Sequence, residues 1–390
     1  MSPTTTPCDL IIIGASARAA ARSAIGAGYR PWCVDLFADL DLRRIASVYQ
    51  CPHNLYPDGL VEMVKAAPVR PESPVLITGA LENRPDVLEA IEIHRPLLGS
   101  CPRAIRAVRS PNTLERLAAC PGLSVCCISR SIPRSPEHEH SASRDRPRAS
   151  FLVKPLAGAG ERHIEFQRVG RPLAPNTYAQ RYIPGQPVSA VYRSDLTPHP
   201  LIGVTEQLIG EPAFGARHFH YCGSIGPRVL TSAQHNALNH LGSALVKKYE
   251  LQDLFGVDAI IDEAGRIWPV EVNPRYTASV EILERAMGQP VISPRAGEGD
   301  EGLRDLLGPR SVPARTGGPV HGKAIIFARA DGHAPDLLRV FNHYDIADIP
   351  PPGSIIRAGG PVCTLLTRAN DRDACMTKLR AMAIRLHERT

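Results

Sequence analysis

The sequence predicts a fold of the α/β and α+β classes, and three observations lead to that prediction. Residues 1–128 alternate short apolar runs with helical segments, which is typical of a parallel, doubly wound sheet. Residues 255–276 contain two apolar runs joined by an Asp/Gly turn, which predicts an antiparallel hairpin. Residues 320–390 alternate short strands with turns and finish in a helix. A chain of 390 residues is long enough for about two or three domains with their own cores.

The chain opens with a β-α-β pattern. The apolar strand Cys8–Ile13 leads into an Ala-rich helix that ends near Gly28, and Pro31–Phe37 reads as a second strand. Gly14 and Ser16 then lie at the N-terminus of the helix, where backbone N–H groups can receive an anion.

This opening also fits a dinucleotide site. Asp35 follows Gly14 at about the 20-residue spacing expected of an NAD ribose ligand. The turn reads Gly14-x-Ser16-x-x-Ala19 and not GxGxxG, so a dinucleotide has less room to approach. Two interpretations of this segment therefore stay open: the dinucleotide site of an NAD-dependent oxidoreductase, or a plain α/β core.

A further buried strand, Val75–Gly79, continues the parallel sheet. Ligands of such sheets bind at the carboxyl ends of the strands. Thr78, Gly79 and Glu82 are therefore candidates to face a binding crevice.

The hairpin carries an unusual pair of acids. Asp258 and Glu271 lie about equally far from the turn at residues 262–265, so they are expected to be neighbours across the ladder. Facing carboxylates repel unless a cation lies between them. Asn273 adds an oxygen on the same face, and together these groups suit Mg²⁺. The alternative is an exposed hairpin whose acids are solvated.

Two other stretches carry chemistry. Lys154 ends a strand and precedes a glycine-rich loop that contains Gly158 and Gly160, an arrangement that places a cation and backbone donors over phosphates. The alternative is a surface hairpin with an ordinary lysine. Arg275 follows Pro274 at the end of the acidic hairpin and is a planar cation suited to carboxylate or phosphate.

These segments, in this order, resemble the ATP-grasp superfamily of carboxylate–amine ligases and carboxylases. The likeness is greatest to the biotin-carboxylase-like branch described as predicted ATP-dependent carboligases. It implies an N-terminal Rossmann-like domain, a linker, the central and C-terminal lobes of the ATP-grasp pair, and a small β-rich C-terminal cap. The corresponding ranges are 1–128, 129–150, 151–185, 186–310 and 320–390.

The resemblance also implies roles for particular residues. The metal ligands, for Mg²⁺ with Mn²⁺ as an alternative, are Asp258, Glu271 and Asn273. The groups implied to bind ATP are Lys154, Gly158 and Gly160 at the phosphates and Gln180, Arg181 and Ile183 at the adenine. Arg275 and Lys154 are the implied catalytic residues.

The sequence departs from the family pattern in two places. Gln186 and Pro187 stand where the family has an acid that holds the ribose. The family's second phosphate-binding lysine is missing near residues 110–112, and Arg109 is a candidate to replace it.

The implied activity is ATP-dependent formation of an acyl phosphate from a carboxylate, followed by transfer to an amine. One-carbon cofactor biosynthesis is one setting that the branch suggests. Three alternatives stay open: a carboxylase that uses bicarbonate, a non-catalytic ATP-binding protein, and the NAD-dependent oxidoreductase. The expected partners are a small-molecule carboxylate and an amine, and a homodimer is possible.

Composition excludes other classes. A net charge of +6 without clustered basic and aromatic residues does not indicate a nucleic-acid surface. No apolar run approaches the roughly 20 residues of a membrane span, so the expected location is the cytoplasm. The 10 cysteines lack CxxC spacing and are expected to be reduced.

Two polar segments are weaker candidates. His138 and His140 in the linker could chelate a metal, although their spacing fits no recognised zinc site. Residues 214–227 are predicted to form a loop with donors suited to substrate contacts. Those donors are Arg217, His218, His220, Tyr221 and Ser224.

Overall fold

The computed structural model describes most of the chain. The described residues are 8–117, 120–125, 128–129, 151–158, 164–167, 172–292 and 318–388. The candidates Gly160, His138 and His140 lie outside these ranges.

The N-terminal part is a four-stranded parallel sheet with the order β3-β2-β1-β4. Its strands are β1 (Cys8–Gly14), β2 (Tyr29–Asp35), β3 (Ser47–Gln50) and β4 (Val75–Ile77). Its helices are α1 (Arg18–Gly26), α2 (Leu40–Arg43), α3 (Leu60–Lys65), α4 (Pro85–Glu92), α5 (Pro102–Val108) and α6 (Asn112–Arg116).

Both faces of this sheet are covered. Leu10 and Ile12 of β1 pack in one core cluster with the alanines of α1. Ile11 and Ile13 point to the opposite face and pack in a second cluster with α3 and α4. A strand that is buried on both sides has no polar face, which explains the continuous apolar run in the sequence.

A small antiparallel sheet with the order β5-β8-β6-β7 follows. Its strands are β5 (Ile128–Ser129), β6 (Phe151–Pro155), β7 (Glu165–Phe166) and β8 (Thr177–Arg181).

The largest sheet has eight strands in the order β13-β12-β9-β10-β11-β14-β18-β16, and a separate ladder joins β15 to β17. The strands are β9 (Gln186–Arg193), β10 (Leu201–Ile209), β11 (Tyr221–Gly226), β12 (Leu254–Ile261), β13 (Ile267–Asn273), β14 (Val320–Phe327), β15 (Gly332–His333), β16 (Ile346–Ala347), β17 (Ile355–Ile356) and β18 (Pro361–Ala369). The helices are α7 (Ser232–Tyr249), α8 (Ala278–Met287) and α9 (Arg372–His387).

Helices cover this sheet as the apolar spacing predicts. Leu238, Leu241 and Leu245 of α7 are fully buried in one core cluster with β9 and β12. The helix begins with a capping box in which Thr231 and Gln234 satisfy each other's backbone N–H groups. The C-terminal strands add to the same sheet, because β14 pairs with β11.

The loop predicted for residues 214–227 is partly wrong. Tyr221–Gly226 forms the strand β11, which is paired with β10 on one edge and with β14 on the other. The sequence gives little strand signal here because the strand contains two glycines, and its β14 partner lies about a hundred residues further along the chain.

The predicted acidic hairpin is confirmed. Asp258 of β12 is directly opposite Glu271 of β13, and a register shift follows immediately at Ala259. The carboxylate of Asp262 accepts hydrogen bonds from the backbone N–H groups of Ala264 (3.0 Å) and Arg266 (2.9 Å), which closes the turn.

A buried ionic network joins the N-terminal sheet to the rest of the molecule. Arg18 at the start of α1 donates to Glu281 of α8 at 2.5 Å and to Asp348, just after β16, at 2.8 Å. Lys323 of β14 contacts the other oxygen of Glu281 at 3.3 Å. Burial alone would raise the pKa of Glu281, but the charges of Arg18 and Lys323 outweigh burial and hold the pKa well below its usual value.

We predict that Arg18→Ala lowers the free energy of unfolding by about 3–5 kcal/mol, because it removes the buried cation that Glu281 and Asp348 share. Arg339→Ala is the matched control, since Arg339 is 86% exposed and, among the residues that the structure describes, forms its ion pair with Asp336 at 2.9 Å. Removal of such a surface pair should cost less than about 1 kcal/mol. Urea unfolding measures both variants, and equal losses would contradict the structural role of Arg18.

Candidate active site

A cleft of about 740 Å³ lies where the three sheets meet. The N-terminal sheet contributes Thr78 and Glu82, the small sheet contributes Lys154, and the large sheet contributes Asp258 and Glu271. Residues more than a hundred positions apart in sequence therefore face one space.

Lys154 lies on β6, beside Tyr178 of β8. Its positive charge favours the ionised form of both hairpin acids, Asp258 and Glu271. Gly158 also lines the cleft, and its carbonyl accepts a hydrogen bond from the Asn83 amide at 2.8 Å. The start of the glycine loop is thereby attached to the N-terminal domain.

The two hairpin carboxyls have opposite pKa shifts. Burial, together with the charge of Glu271, raises the pKa of Asp258 to about 6. Burial also opposes ionisation of Glu271, but Arg109 and Lys154 hold its pKa below the usual value. The pair therefore favours the charged form at Glu271 and disfavours it at Asp258, as expected for two acids that share one site.

Arg109 reaches the site from the residue that follows α5. Its guanidinium donates to a carboxylate oxygen of Glu271, to the Val272 carbonyl at 3.2 Å and to Asn83 at 2.8 Å. The structure thus places Arg109 in the cleft. This arginine is the candidate to replace the family's lysine, which this sequence lacks near residues 110–112.

Two side-chain amide groups donate hydrogen bonds to Asp258. Its two oxygens accept from Gln207 at 3.0 Å and from Asn273 at 2.9 Å. The amide oxygen of Asn273 accepts a hydrogen bond from Nη2 of Arg275 at 3.5 Å. The donor set of two carboxylates and one amide suits a hard divalent ion that takes its other ligands from water and phosphate. Within the described ranges, no three His, Cys, Asp or Glu side chains cluster to form a metal site.

Arg275 forms an ion pair with Glu82. Its Nη2 lies 2.8 Å from a Glu82 oxygen, and Nη1 donates to the Tyr276 carbonyl at 3.1 Å. Glu82 lies in the 3₁₀ turn Leu81–Asn83, which follows β4. The three crevice candidates Thr78, Gly79 and Glu82 all line the cleft.

The adenine-binding candidates do not line this cleft. Gln180 is buried and its side-chain amide donates to the Val270 carbonyl at 3.2 Å, while Arg181 is exposed and Ile183 is buried. Their roles stay predictions. Of the other predicted donors, His220 and Tyr221 line the cleft, whereas Ser224 is fully buried and bonded to Tyr221 at 2.8 Å.

Several polar cleft residues were not identified from the sequence. They are Arg18, Tyr56, Ser189, Gln207 and Lys323. Each is a single polar residue within an ordinary segment, and no short motif marks it. Ser189, Gln207 and Lys323 lie on β9, β10 and β14, whereas Arg18 and Tyr56 do not lie on strands, so these residues share no sequence pattern.

The surroundings of Asp35 argue against its predicted role as a ligand of the NAD ribose. The carboxylate of Asp35 accepts three backbone N–H groups, from Ala17 (2.6 Å), Phe37 (2.8 Å) and Ala38 (2.7 Å), and the residue is 1% exposed. A Cβ at Gly14 would lie 1.9 Å from the Thr78 hydroxyl. Asp35 therefore holds the turn together and is not available to a ribose.

Comparison with known proteins agrees with this geometry. Residues 125–279 match the family model of the ATP-grasp domain. An L-amino acid ligase from Bacillus licheniformis has 16% identity and a TM-score of 0.63, with 98% of each chain covered. The biotin carboxylase domain of the Hydrogenobacter thermophilus 2-oxoglutarate carboxylase has 15% identity and a TM-score of 0.69, with 96% of this chain and 89% of that chain covered.

A third solved structure is the ADP complex of N5-carboxyaminoimidazole ribonucleotide synthetase, with 15% identity, a TM-score of 0.63 and 100% of each chain covered. A comparison with curated proteins gives no significant match. The matched domain and the shared architecture show that the chain has the ATP-grasp fold. The match to the family model covers residues 125–279, within which the motifs at Lys154 and at Asp258–Arg275 lie. None of the described helices is both long and apolar enough to span a bilayer.

We predict that ATP with Mg²⁺ raises the melting temperature of the protein and that NADH does not. The reason is that Asp35 already accepts three backbone N–H groups, whereas the cleft contains cations and carboxylate oxygens of the kind that suit phosphates and a hard metal ion. A thermal shift assay at matched ligand concentrations measures both effects. Stabilisation by NADH alone would overturn this interpretation.

Proposed function

We propose that the protein is an ATP- and Mg²⁺-dependent ligase that converts a carboxylate into an acyl phosphate and passes the acyl group to an amine. One observation carries the proposal: Lys154, Arg109 and the Asp258–Glu271 pair face one cleft although they come from the small sheet, from the end of α5 and from the large sheet. Cations and metal-binding carboxylates around one space are what phosphoryl transfer needs for positioning and charge stabilisation.

Each residue has a role that follows from its surroundings. Asp258, Glu271 and Asn273 would hold Mg²⁺, which neutralises the phosphate oxygens when it is bound. Lys154 is a compact cation at the end of β6, so it would contact the same phosphates. Arg109 supplies a second, fixed cation beside Glu271. We assign it to the phosphate contact for which the family uses a lysine.

Arg275 would act on the acyl group. It is next to Asn273 and is fixed by Glu82, so its position is set before substrate binds. A fixed cation stabilises the oxyanion that forms when the amine attacks the acyl phosphate, and it needs no reorganisation during the step.

A carboxylase that uses bicarbonate as its acid is the second candidate. It is favoured by the similarity in fold to the biotin carboxylase domain that was solved with MgADP and bicarbonate. In that reaction the same residues would activate bicarbonate, and the acceptor would receive a carboxyl group.

ADP formation tests the proposal. Purified protein with ATP and Mg²⁺ is screened against amino acids, dicarboxylates and cofactor precursors, singly and in pairs with amines, and separately with bicarbonate. A ligase should release ADP only when an acid is present and yield an amide when an amine is added. ADP release with bicarbonate alone would favour the carboxylase, and ATP binding without any ADP would indicate a non-catalytic protein.

We predict that Glu271→Gln lowers the rate of ADP formation by at least about a hundredfold, because it removes a charge that holds the metal on the phosphates. The protein should still fold, since the amide keeps an oxygen that can accept from Arg109. Binding of Mn²⁺ in the presence of an ATP analogue, measured by electron paramagnetic resonance, should weaken in parallel.

Glu263→Gln is the matched control, because Glu263 is an exposed acid in the turn of the same hairpin. It should leave ADP formation and Mn²⁺ binding unchanged. Wild-type turnover in Glu271→Gln would refute the metal role.

A further inference from the structure

We infer that Asn83 is a positioning residue, which holds the Arg109 guanidinium in the orientation that receives the nucleotide phosphates. This inference rests on the proposed function and adds to it a residue behind the wall of the cleft. Arg109 lines the cleft, whereas Asn83 is not among the described residues that do so. Asn83 therefore acts through Arg109 and not by contact with a ligand.

Arg109 is held at both ends of its guanidinium. Nη1 donates to a carboxylate oxygen of Glu271 and to the Val272 carbonyl, the latter at 3.2 Å. Nη2 donates to Oδ1 of Asn83 at 2.8 Å. A guanidinium that is held at both terminal nitrogens has a fixed plane, whereas one held at a single nitrogen can turn about that contact. Asn83 supplies the second contact.

The contact with Asn83 does not depend on the hairpin acids. Glu271 is one of the proposed ligands of Mg²⁺, so its oxygens would be shared with the ion when the site is loaded. Arg109 then keeps its hydrogen bonds to Val272 and Asn83, of which the bond to Asn83 is the shorter. The support from Asn83 therefore matters most in the state that binds the nucleotide.

The amide of Asn83 has a single orientation that satisfies both of its neighbours. Its nitrogen donates to the Gly158 carbonyl at 2.8 Å, and a carbonyl oxygen can only accept. The guanidinium of Arg109 can only donate, so it needs the amide oxygen. The hydrogen bond to the start of the glycine loop thus keeps the acceptor of Asn83 directed at Arg109.

The turn that carries Asn83 is rigid. Asn83 ends the 3₁₀ turn after β4, in which Leu81 is fully buried in the core of the N-terminal sheet. The Asn83 N–H donates to the carbonyl of Ala80 at 3.2 Å. Ala80 has φ +82°, a left-handed conformation that alanine rarely adopts and that is often kept at functional sites. A group on such a turn can fix its partner with little loss of its own freedom.

The same turn fixes a second arginine by a different chemistry. Glu82, which precedes Asn83, pairs with Arg275 at 2.8 Å. A carboxylate neutralises much of the charge of its partner, whereas a neutral amide orients a guanidinium and leaves its charge available. Asn83 therefore suits an arginine that must attract phosphates, which is the role proposed for Arg109.

Equilibrium binding tests the inference. Wild-type protein and Asn83→Ala are titrated by calorimetry with a non-hydrolysable ATP analogue and Mg²⁺, and with adenosine by nuclear magnetic resonance. Asn83→Ala should weaken binding of the analogue by about tenfold, because Arg109 loses a hydrogen bond that fixes it. Binding of adenosine should change by less than about twofold, because adenosine has no phosphate for Arg109 to contact. General damage to the fold would weaken both ligands alike.

A double-mutant cycle shows whether Asn83 acts through Arg109. Arg109→Met alone should weaken binding of the analogue at least as much as Asn83→Ala does. In the Arg109→Met background, Asn83→Ala should add less than about a twofold loss, because the effects of residues that share one contact do not add.

Asn342→Ala is the matched control. Asn342 is also an asparagine in a turn, but it is exposed in the C-terminal part of the chain, and its Oδ1 accepts from the Tyr344 N–H at 3.2 Å. This variant should bind the ATP analogue and adenosine as the wild-type protein does.

Three results would overturn the inference alone. They are wild-type affinity for the analogue in Asn83→Ala, an equal loss of adenosine binding, and an undiminished loss in the Arg109→Met background. In each case the proposed function stands if the analogue binds the wild-type protein and Arg109→Met weakens it. If Arg109→Met has no effect, the phosphate role of Arg109 falls and the inference falls with it. If the wild-type protein does not bind the analogue, the proposed function itself falls, together with the inference.

Discussion

Two carboxylates held side by side in a buried hairpin are the constraint around which this molecule is arranged. Asp258 and Glu271 are directly opposite each other in the ladder between β12 and β13, so backbone pairing fixes their separation and neither can move away. Like charges at this spacing are unfavourable in a partly buried site unless cations and donors surround them. Arg109, Lys154, Gln207 and Asn273 do so, and each comes from a different part of the chain.

The same constraint explains why the N-terminal domain must dock against the large sheet. Arg109 and Glu82 reach the cleft from that domain, and both contact the segment that runs from Glu271 to Arg275. The buried network of Arg18, Glu281 and Asp348 joins α1 to α8 and to the C-terminal strands on the other side of the cleft. A buried ion pair adds little net stability but is costly to break, so the network favours one docking geometry over alternatives.

Local patterns predicted much of the candidate site. The Asp/Gly turn and the apolar runs on both sides of it determined the register of Asp258 and Glu271, because a short hairpin leaves few alternative pairings. The positions of Lys154 and Gly158 followed from a strand that ends in a glycine-rich loop. The strand β11 was missed, because its pairing partner β14 is distant in sequence. The NAD interpretation depended on spacing alone, and spacing does not reveal that the Asp35 carboxylate bonds to three backbone N–H groups.

The sequence by itself determined the elements and the chemistry within each short segment, since hydrophobic periodicity, turn residues and the type of each side chain act over a few residues. Only the tertiary structure decided which segments meet. It placed Arg109 on Glu271, Glu82 on Arg275 and Arg18 between Glu281 and Asp348. These contacts join residues that are about 160 to 330 positions apart in the chain, and no local rule specifies them because they arise from the packing of whole domains.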